Sequence, residues 1–468
     1  MDDKIFFDAH MHAFNLSHPS ISSFAKRFVR DTLRSLRTLR RIPVLATLIA
    51  LGVLILLVWT LFVLAYVVPP LRRLVRSWIT RLAARGKKLL AASANLLVVL
   101  ENDIGSSFLL IENCLRNPEN PLLQHDGLHV GDEIYTHIVL TPLMMDFGYK
   151  GSQPAEQGRV PRFRYDMVAG KPIVEQVVDV FRAVRIYAES QSDRSLAGKF
   201  PSLHPGAKRI FEIYPFLGLN PANYSLDKVK GLLTKYFAGY TGQRDGFLAS
   251  MGTFDGNIDH LGVHSFAGIK VYPPLGFDPW PEGNHEAMAK VDLLYETCSR
   301  MGIPITAHGG QGGFVVVDAK TLHEIASIHK WSSALKHFPE LKVNLAHFPM
   351  AVAERTRRHE AIGLVLGYPN VYVDISCRAT SEVYYKRLKA LFDGMMRTEL
   401  DVLQARILFG SDFAVNLMWI ESYNRYVDLF SQTPSLTAAE RHRFCSINPE
   451  RFLFGGSNRR VQDSSRTA

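Results

Sequence analysis

The sequence is poor in cysteine, and its cysteines form no paired motif. Four occur among 468 residues, none in a C-x-x-C arrangement: Cys114, Cys298, Cys377 and Cys445. A disulfide framework and a zinc site built from thiolates both need closely spaced cysteines. Neither class is therefore indicated, and we expect reduced thiols in a cytoplasmic compartment.

The N-terminal region lacks two further features. Residues 1–4 (Met-Asp-Asp-Lys) have neither the basic start nor the apolar stretch of a signal peptide, and a strand candidate, Ile5–His10, follows at once. No glycine-rich phosphate loop follows this strand, which argues against a dinucleotide-binding sheet. An open doubly wound sheet is therefore the less favoured α/β fold.

Acidic residues are almost missing from one segment. Between Ala13 and Leu90 there are fourteen Lys and Arg but a single acid, Asp31, which gives this segment a charge of +13 in a chain of net charge +10. The rest of the chain is mildly acidic in sum, so we expect no nucleic-acid partner. The basic segment suits an anionic membrane surface instead.

An uncharged run, Val44–Val68, lies within this basic segment and is long enough to span a bilayer core. Basic amphipathic helices are predicted on both sides of it. The first strand must pair with strands that follow the segment, so both ends of the segment lie on one side of any membrane. A second crossing at Leu89–Ile111 would bury Glu101 and Asp103, which is costly.

We therefore expect a peripheral or monotopic attachment to the cytoplasmic side of a membrane through residues 21–90. The membrane-contacting side chains would include Val44, Leu54, Trp59, Phe62 and Trp78. The alternative is a soluble cytoplasmic protein in which the apolar run packs against another subunit of a homo-oligomer.

Beyond the basic segment, strand candidates rich in Val, Ile and Phe alternate with helical patterns, which is typical of parallel β/α units. With the first strand they number eight: Ile5–His10, Ile134–Thr141, Arg209–Tyr214, Ala267–Tyr272, Ile303–His308, Lys342–His347, Val371–Ser376 and Arg406–Ser411. Eight units predict an α/β fold of the (β/α)8 TIM-barrel type with a long helical, hydrophobic insertion after strand one. We divide the chain into a barrel (1–12 and 133–455), the insertion (13–132) and a polar tail (456–468).

Polar side chains stand at the carboxyl ends of these strands, where the catalytic residues of such barrels lie. Strand one ends in His10-Met11-His12, and side chains two apart on a strand point to the same side, so two imidazoles can converge on a metal ion. The others are Lys270 on strand four, His308 on five, His347 on six and Asp412 on eight. Their common position on different strands predicts one active site.

This order of residues resembles the amidohydrolase superfamily. The segments GIKVYPPLGFDP, PITAHGG, NLAHFP and ILFGSDF are most similar to its amidohydrolase-related subgroup, which includes aminocarboxymuconate-semialdehyde decarboxylase and several lactonases. The resemblance covers the first dozen residues and about 134–454, but not the insertion. It implies a divalent metal, zinc before others, held by His10, His12, His308 and Asp412.

The resemblance and the chemistry of the side chains together indicate roles. Asp412 would also accept a proton from the attacking water. His347 would be a second-metal ligand or a metal-free acid/base that polarises the substrate. Lys270 has three interpretations: it holds an anionic substrate group, it is carboxylated and bridges two metals, or it is buried beside a structural carboxylate. We favour a single metal ion.

Three further residues are weaker candidates. Asp146 follows strand two and Arg378 follows strand seven, and both could bind substrate, Arg378 through a bidentate contact with a carboxylate. Asp374, inside strand seven, would only orient a neighbour. A structural role is the favoured interpretation for each.

The sequence therefore predicts a metal-dependent hydrolase that uses a metal-activated water on a C–O or C–N bond (ester, lactone or amide) of a small or lipid-like molecule. A non-oxidative decarboxylase on the same metal site is the first alternative. A membrane-associated scaffold with an inactive barrel is the second, and the complete ligand set argues against it. Because the insertion follows His12 directly, we expect the catalytic end of the barrel to face the membrane.

Overall fold

The computed structural model describes residues 4–19, 95–96, 98–119, 121–147, 170–204, 206 and 208–455. The apolar run 44–68, the five predicted membrane-contacting residues and the polar tail 456–468 lie outside these residues. Within them, no helix is both long and apolar enough to cross a bilayer.

Parallel strands form a barrel, and a small antiparallel sheet stands apart from it. The strands are β1 (Ile5–His12), β2 (Leu123–Gln124), β3 (Gly127–Val130), β4 (Glu133–Tyr135), β5 (His137–Leu143), β6 (Phe211–Ile213), β7 (Phe216–Gly218), β8 (Gly268–Val271), β9 (Ile305–Ala307), β10 (Val343–Leu345), β11 (Val371–Asp374) and β12 (Ile407–Leu408). The barrel order is β1-β5-β7-β8-β9-β10-β11-β12, with β6 paired to β5. The predicted eight-unit barrel is therefore confirmed.

Backbone hydrogen bonds between the first and last strands close the ring. The amide of Ala9 donates to the carbonyl of Phe409 at 3.0 Å, and the amide of Asp412 donates to the carbonyl of His10 at 2.6 Å. Nearly every residue of β1 is buried, as expected for a parallel strand covered on both faces. The same bonds fix Asp412 beside His10.

Helices surround the barrel on its outer side. They are α1 (Ile104–Leu115), α2 (Ile173–Glu189), α3 (Leu226–Phe237), α4 (Arg244–Gly252), α5 (His285–Met301), α6 (Ala319–Ile325), α7 (Ile328–His337), α8 (Arg355–Gly367), α9 (Glu382–Asp393), α10 (Arg397–Gln404), α11 (Tyr423–Gln432), α12 (Ala438–His442) and α13 (Asn448–Phe454). The helix α5 shows how the sequence pattern predicts a helix. Asn284 caps its first turn, Gly302 ends it at a φ of 71°, and Val291, Leu294 and Cys298 form its buried stripe.

The third barrel position differs from the predicted single strand Arg209–Tyr214. The chain forms β6, which pairs with β5, and then a second short strand, β7, which pairs with both β5 and β8. Pro215 separates the two, because proline has no amide hydrogen to donate to a strand ladder. As a result, the strand that pairs with β8 at the third position, β7, lies closer to the carboxyl end of the barrel than β6 does.

The described end of the predicted insertion packs on the barrel. The side chain of Asp103 accepts a hydrogen bond from the amide of Ser106 and so starts α1, whose buried apolar side chains belong to the main apolar core. A buried carboxylate, Glu112, accepts hydrogen bonds from Tyr187 Oη on α2 (2.5 Å) and from Arg116 Nε (2.9 Å). This network attaches α1 to α2. The helix α1 lies inside the insertion that was predicted to be helical, but its bounds and the antiparallel sheet β2–β4 were not predicted.

Candidate metal centre

The predicted strand-end residues meet at the carboxyl end of the barrel. Each of their side chains is at least nine-tenths buried: His10, His12, Lys270, His308, His347 and Asp412. They come from β1, from β8 and from the turns after β9, β10 and β12. Closure of the barrel brings together residues that are up to 402 positions apart.

Two imidazoles and one carboxylate form the group best placed to hold a cation. His10, His347 and Asp412 each offer a ligand atom, and these atoms all lie within 4.8 Å of one another. His10 Nε2 lies 3.3 Å from Asp412 Oδ1. Both atoms are buried, and neither makes a hydrogen bond of good geometry. Buried polar atoms are almost always satisfied, so this pair fits a cation that both would ligate.

His12 and His308, which the sequence assigned to the metal, lie beside this group. His12 Nε2 lies 3.0 Å from Asp412 Oδ1, and His308 Nδ1 lies 3.1 Å from His347 Nε2. Each keeps one buried ring nitrogen without a partner, Nδ1 of His12 and Nε2 of His308. The geometry thus puts His347 among the three closest ligands, where the sequence had assigned it an acid/base role or a second metal.

Burial keeps several of these imidazoles neutral. It lowers the pKa of His12 and His308, and it lowers the pKa of His347 to about 4, because the charged ring would lose its hydration. A metal ion binds the neutral imidazole through its free lone pair. These three rings are therefore in the form that can act as ligands near neutral pH.

Asp374 organises two of the histidines from the end of β11. Its carboxylate accepts from His10 Nδ1 at 2.8 Å and from the backbone amide of His347 at 2.9 Å. It also binds Ser376, whose hydroxyl lies 2.9 Å from His347 Nδ1. With Nδ1 of His10 donating to Asp374, Nε2 of His10 is the nitrogen left for a metal. Sequence reasoning gave Asp374 an orienting role and did not single out Ser376.

Three non-glycine residues of this region adopt positive φ angles. The values are 66° at His347, 60° at Cys377 and 62° at Asp412. Such conformations cost ~1–3 kcal/mol each for most residues and cluster at functional sites. At His347 and Asp412 the backbone amides are held by hydrogen bonds to Asp374 and to His10. The strain therefore serves to turn these two side chains into the centre.

Lys270 supplies a buried cation beside the ligands. Its Nζ has no hydrogen-bond partner, and the side chain is 1% exposed. Burial lowers the pKa of Lys270 to about 8, while the carboxylates of Asp374 and Asp412 act in the opposite direction. A buried ammonium without a hydrogen-bond partner is costly, so this Nζ is a candidate for binding an anionic group of a ligand.

Asp8, which was not predicted as a site residue, binds the turn that carries Asp412. Its carboxyl group accepts from the amide of Ser411 (2.9 Å) and from Tyr423 Oη (3.0 Å). Burial raises the pKa of Asp8 to about 6. The contacts join β1 to the turn that carries Asp412. An aspartate four residues into a buried strand is a signal that could have been read from the sequence.

The two weaker substrate-binding candidates have protein partners. Asp146 accepts from the amide of Asn220 at 2.8 Å and from Asn223 Nδ2 at 3.0 Å, which ties the ends of β5 and β7 together. Arg378 is exposed and pairs with Glu354 at 3.1 Å. A substrate-binding role for Asp146 or Arg378 stays a prediction.

A closed parallel barrel with histidines and an aspartate at its carboxyl end defines a class of metal-dependent enzymes. A family model described as "Amidohydrolase" matches residues 245–455, which include Lys270, His308, His347 and Asp412. The match covers a little under half of the chain, agrees with the amidohydrolase resemblance that the strand-end motifs indicated, and supports an enzyme of this type. No curated protein matches the chain.

Solved structures of similar type include two with stated activities. One is a probable 2-pyrone-4,6-dicarboxylic acid hydrolase from Acinetobacter baumannii (11% identity, 69% of this chain and 84% of that chain, TM-score 0.36). Another is a 5-carboxyvanillate decarboxylase from Novosphingobium aromaticivorans, in complex with manganese (11% identity, 68% and 76%, TM-score 0.32). At these scores they add nothing to the topology described above.

Proposed function

We propose that this protein is a metal-dependent hydrolase that cleaves a C–O or C–N bond in an ester, lactone or amide. The observation that carries the proposal is the buried pair of unsatisfied ligand atoms, His10 Nε2 and Asp412 Oδ1, with His347 beside them. We further propose one divalent cation, with zinc first, because two imidazoles and a carboxylate suit zinc and the described residues offer one such group.

A divalent cation on these ligands would supply Lewis acidity and a nucleophile available near neutral pH. The chain's own residues would do the rest. Asp412 would accept the proton of the attacking water, and His12, 3.0 Å from its carboxylate, would steady the carboxylate in that position. Lys270 would bind the anionic group of the substrate, or the negative charge that develops on its carbonyl oxygen.

Asp412 would then pass this proton on to the leaving group. His347 is one of the three proposed ligands, and its pKa of about 4 keeps its ring neutral for that role. His308, whose Nδ1 lies 3.1 Å from His347 Nε2, would hold the ring of His347 in position.

The test of this function is metal removal with a substrate panel. We expect purified protein stripped with a chelator to lose at least about 10²-fold of its activity towards an ester, lactone or amide, and to regain it when zinc or manganese is added. Metal-dependent release of CO2 from a carboxylated aromatic, without hydrolysis of any ester, lactone or amide in the panel, would favour the decarboxylase alternative instead. Hydrolysis that persists unchanged after chelation would contradict the proposal.

We also propose that the protein attaches to an anionic membrane surface through residues 21–90, with the catalytic end of the barrel towards the lipid. The support is the position of the two chain ends that lead into that segment. The amide of Leu16 donates to the carbonyl of Leu100 at 2.8 Å, so both ends lie together a few residues from His12. Fourteen Lys and Arg in the segment would each gain ~1 kcal/mol at an anionic leaflet.

Vesicle flotation of the full-length protein tests this attachment. We expect it to float with vesicles that contain phosphatidylserine, and to do so several-fold less when Arg72, Arg73 and Arg76 are all replaced by glutamine. Replacing Arg397, Arg425 and Lys389, which lie on α10, α11 and α9, is the matched control and should leave flotation unchanged. Protein that stays in the aqueous fraction at low salt without detergent would contradict membrane attachment.

A further inference from the structure

Aromatic rings cover two histidines that lie beside the ligand group of the candidate metal centre. The ring of Phe14 stands edge-on to His12 with centroids 5.5 Å apart, and the ring of Tyr272 stacks on His308 with centroids 4.2 Å apart. His12 is 8% exposed and His308 is 9% exposed. A substrate that reaches the centre must therefore pass or displace apolar side chains.

These rings belong to an apolar cluster that is separate from the main core. We call it the mouth cluster, and its members used here are Phe14, Met145, Phe147, Tyr272, Leu275 and Phe314. They come from the turns and loops that follow β1, β5, β8 and β9, which all lie at the carboxyl end of the barrel. The main core fills the barrel and the layer beneath the helices, so the mouth cluster adds an apolar layer on the catalytic side.

Three phenylalanines form the centre of the mouth cluster. Their ring centroids lie 5.7 Å apart for Phe14 and Phe147, 5.4 Å for Phe14 and Phe314, and 5.5 Å for Phe147 and Phe314, all edge-to-face. Phe14 and Phe147 are 5% and 2% exposed and Phe314 is half-buried, so a hydrocarbon chain would enter by displacing the Phe314 ring and would then contact apolar ring surface. The cluster also contains Leu100, whose carbonyl binds the amide of Leu16.

The mouth cluster adjoins the buried cation. Lys270 Nζ lies 5.7 Å from the centroid of the Tyr272 ring, and no hydrogen-bond partner satisfies it. A ligand that extends from Lys270 past Tyr272 therefore meets an ammonium group at one end and aromatic carbon at the other. This arrangement has the polarity of an amphiphile.

We infer that the substrate is an anionic amphiphile, whose charged or carbonyl head lies at Lys270 and the metal ligands and whose hydrocarbon portion lies among Phe14, Phe147 and Phe314. The inference rests on the proposed function for the chemistry of the head group. It adds the substrate class, and it identifies the three phenylalanines as specificity-determining residues.

Binding of alkylphosphonates tests the inference without requiring turnover. Methyl-, propyl- and hexylphosphonate share one anionic head and differ in chain length, and their affinity for the full-length, zinc-supplied protein can be measured by titration calorimetry. We expect the affinity to rise by about fourfold for each methylene that enters the mouth cluster. Phe314→Ala and Phe147→Ala should flatten this dependence on chain length.

Two further variants separate the parts of the inference. Phe338→Ala is the control, because it removes a partly buried phenylalanine that packs on Tyr295 in the helical layer, away from the mouth cluster. The affinity of this variant should depend on chain length as it does in the wild type. Lys270→Met should weaken every member of the series by about tenfold or more and leave the dependence on chain length intact.

Equal affinity for methyl- and hexylphosphonate, or an unchanged chain-length dependence in both Phe314→Ala and Phe147→Ala, would overturn the inference. Its failure is distinguishable from failure of the proposed function. If the affinity does not change with chain length but hydrolysis depends on the metal, the inference fails and the proposed function stands. If the affinity rises with chain length and the two variants abolish this rise, but hydrolysis persists after chelation, the inference is supported and the proposed function fails.

Discussion

Asp412→Asn should lower kcat/KM for the hydrolysed substrate by about 10³-fold. The amide that replaces the carboxylate cannot accept the proton of the attacking water, and it removes the negative charge from the candidate ligand group. Asparagine suits this position because Asp412 has a φ of 62°, a conformation that asparagine adopts more readily than most residues. The loss should therefore reflect chemistry rather than a distorted turn.

Steady-state kinetics with the best substrate of the panel measures this loss, and Asp278→Asn is its matched control. Asp278 lies at the same end of the barrel but pairs with Lys330 at 3.1 Å, away from the histidines. We expect the control to keep kcat/KM within about threefold of the wild type. An Asp412→Asn enzyme with wild-type kcat/KM would show that the carboxylate has no part in the reaction.

Glu112→Ala should lower the free energy of unfolding by about 3–5 kcal/mol. The Glu112 side chain is fully buried and faces the Arg209 guanidinium, whose nearest nitrogen is 3.5 Å away and whose side chain is 6% exposed. Removing the carboxylate deprives the buried Arg209 guanidinium of the nearby negative charge. The substitution also removes the oxygen that accepts the hydrogen bond of Tyr187 Oη at 2.5 Å. The substitution therefore weakens the contact between α1 and α2.

Urea denaturation followed by circular dichroism measures this change, with Glu119→Ala as the control. Glu119 is exposed just after α1, and its replacement should shift the free energy of unfolding by no more than about 0.5 kcal/mol. If Glu112→Ala unfolds at the same urea concentration as Glu119→Ala, the buried network does not hold α1 to the barrel.

Much of the fold could be predicted from the sequence because each barrel strand is a short apolar run that ends in a polar or glycine residue. His308 and His347 were recognisable because such a run directly precedes each of them. The second half of the third barrel position was missed. Pro215 marks a break in the pattern, and only the pairing with β8 shows that a further strand follows it.

The grouping of the ligands could not be predicted from spacing. The sequence places His308 and His347 at equivalent strand ends, and a positive φ at His347 decides which imidazole lies nearest to His10 and Asp412. The backbone angle of a single residue cannot be predicted from the periodic pattern of apolar and polar residues. The alignment of Asp374 with His10 likewise depends on a contact across 364 positions.

The mouth cluster and the Glu112 network were also beyond sequence reasoning. The mouth cluster is assembled from separate loops, and the Glu112 network joins side chains of two different helices. Phe14, Phe147 and Phe314 have no common spacing, and they meet because closure of the barrel brings its carboxyl-end loops together. Such features depend on tertiary structure alone, and here they bear on substrate class and stability.

The central claim is that His10, His347 and Asp412 hold a divalent cation, and metal analysis of the purified protein tests it most directly. We expect about one zinc or manganese ion per chain in the wild type, lost in His10→Ala and kept in His264→Ala, a buried histidine at the opposite end of β8. The folded state of each variant is checked by circular dichroism. Folded wild-type protein that binds no divalent metal after repletion, or a His10→Ala variant that binds it as well as the wild type, would contradict the claim.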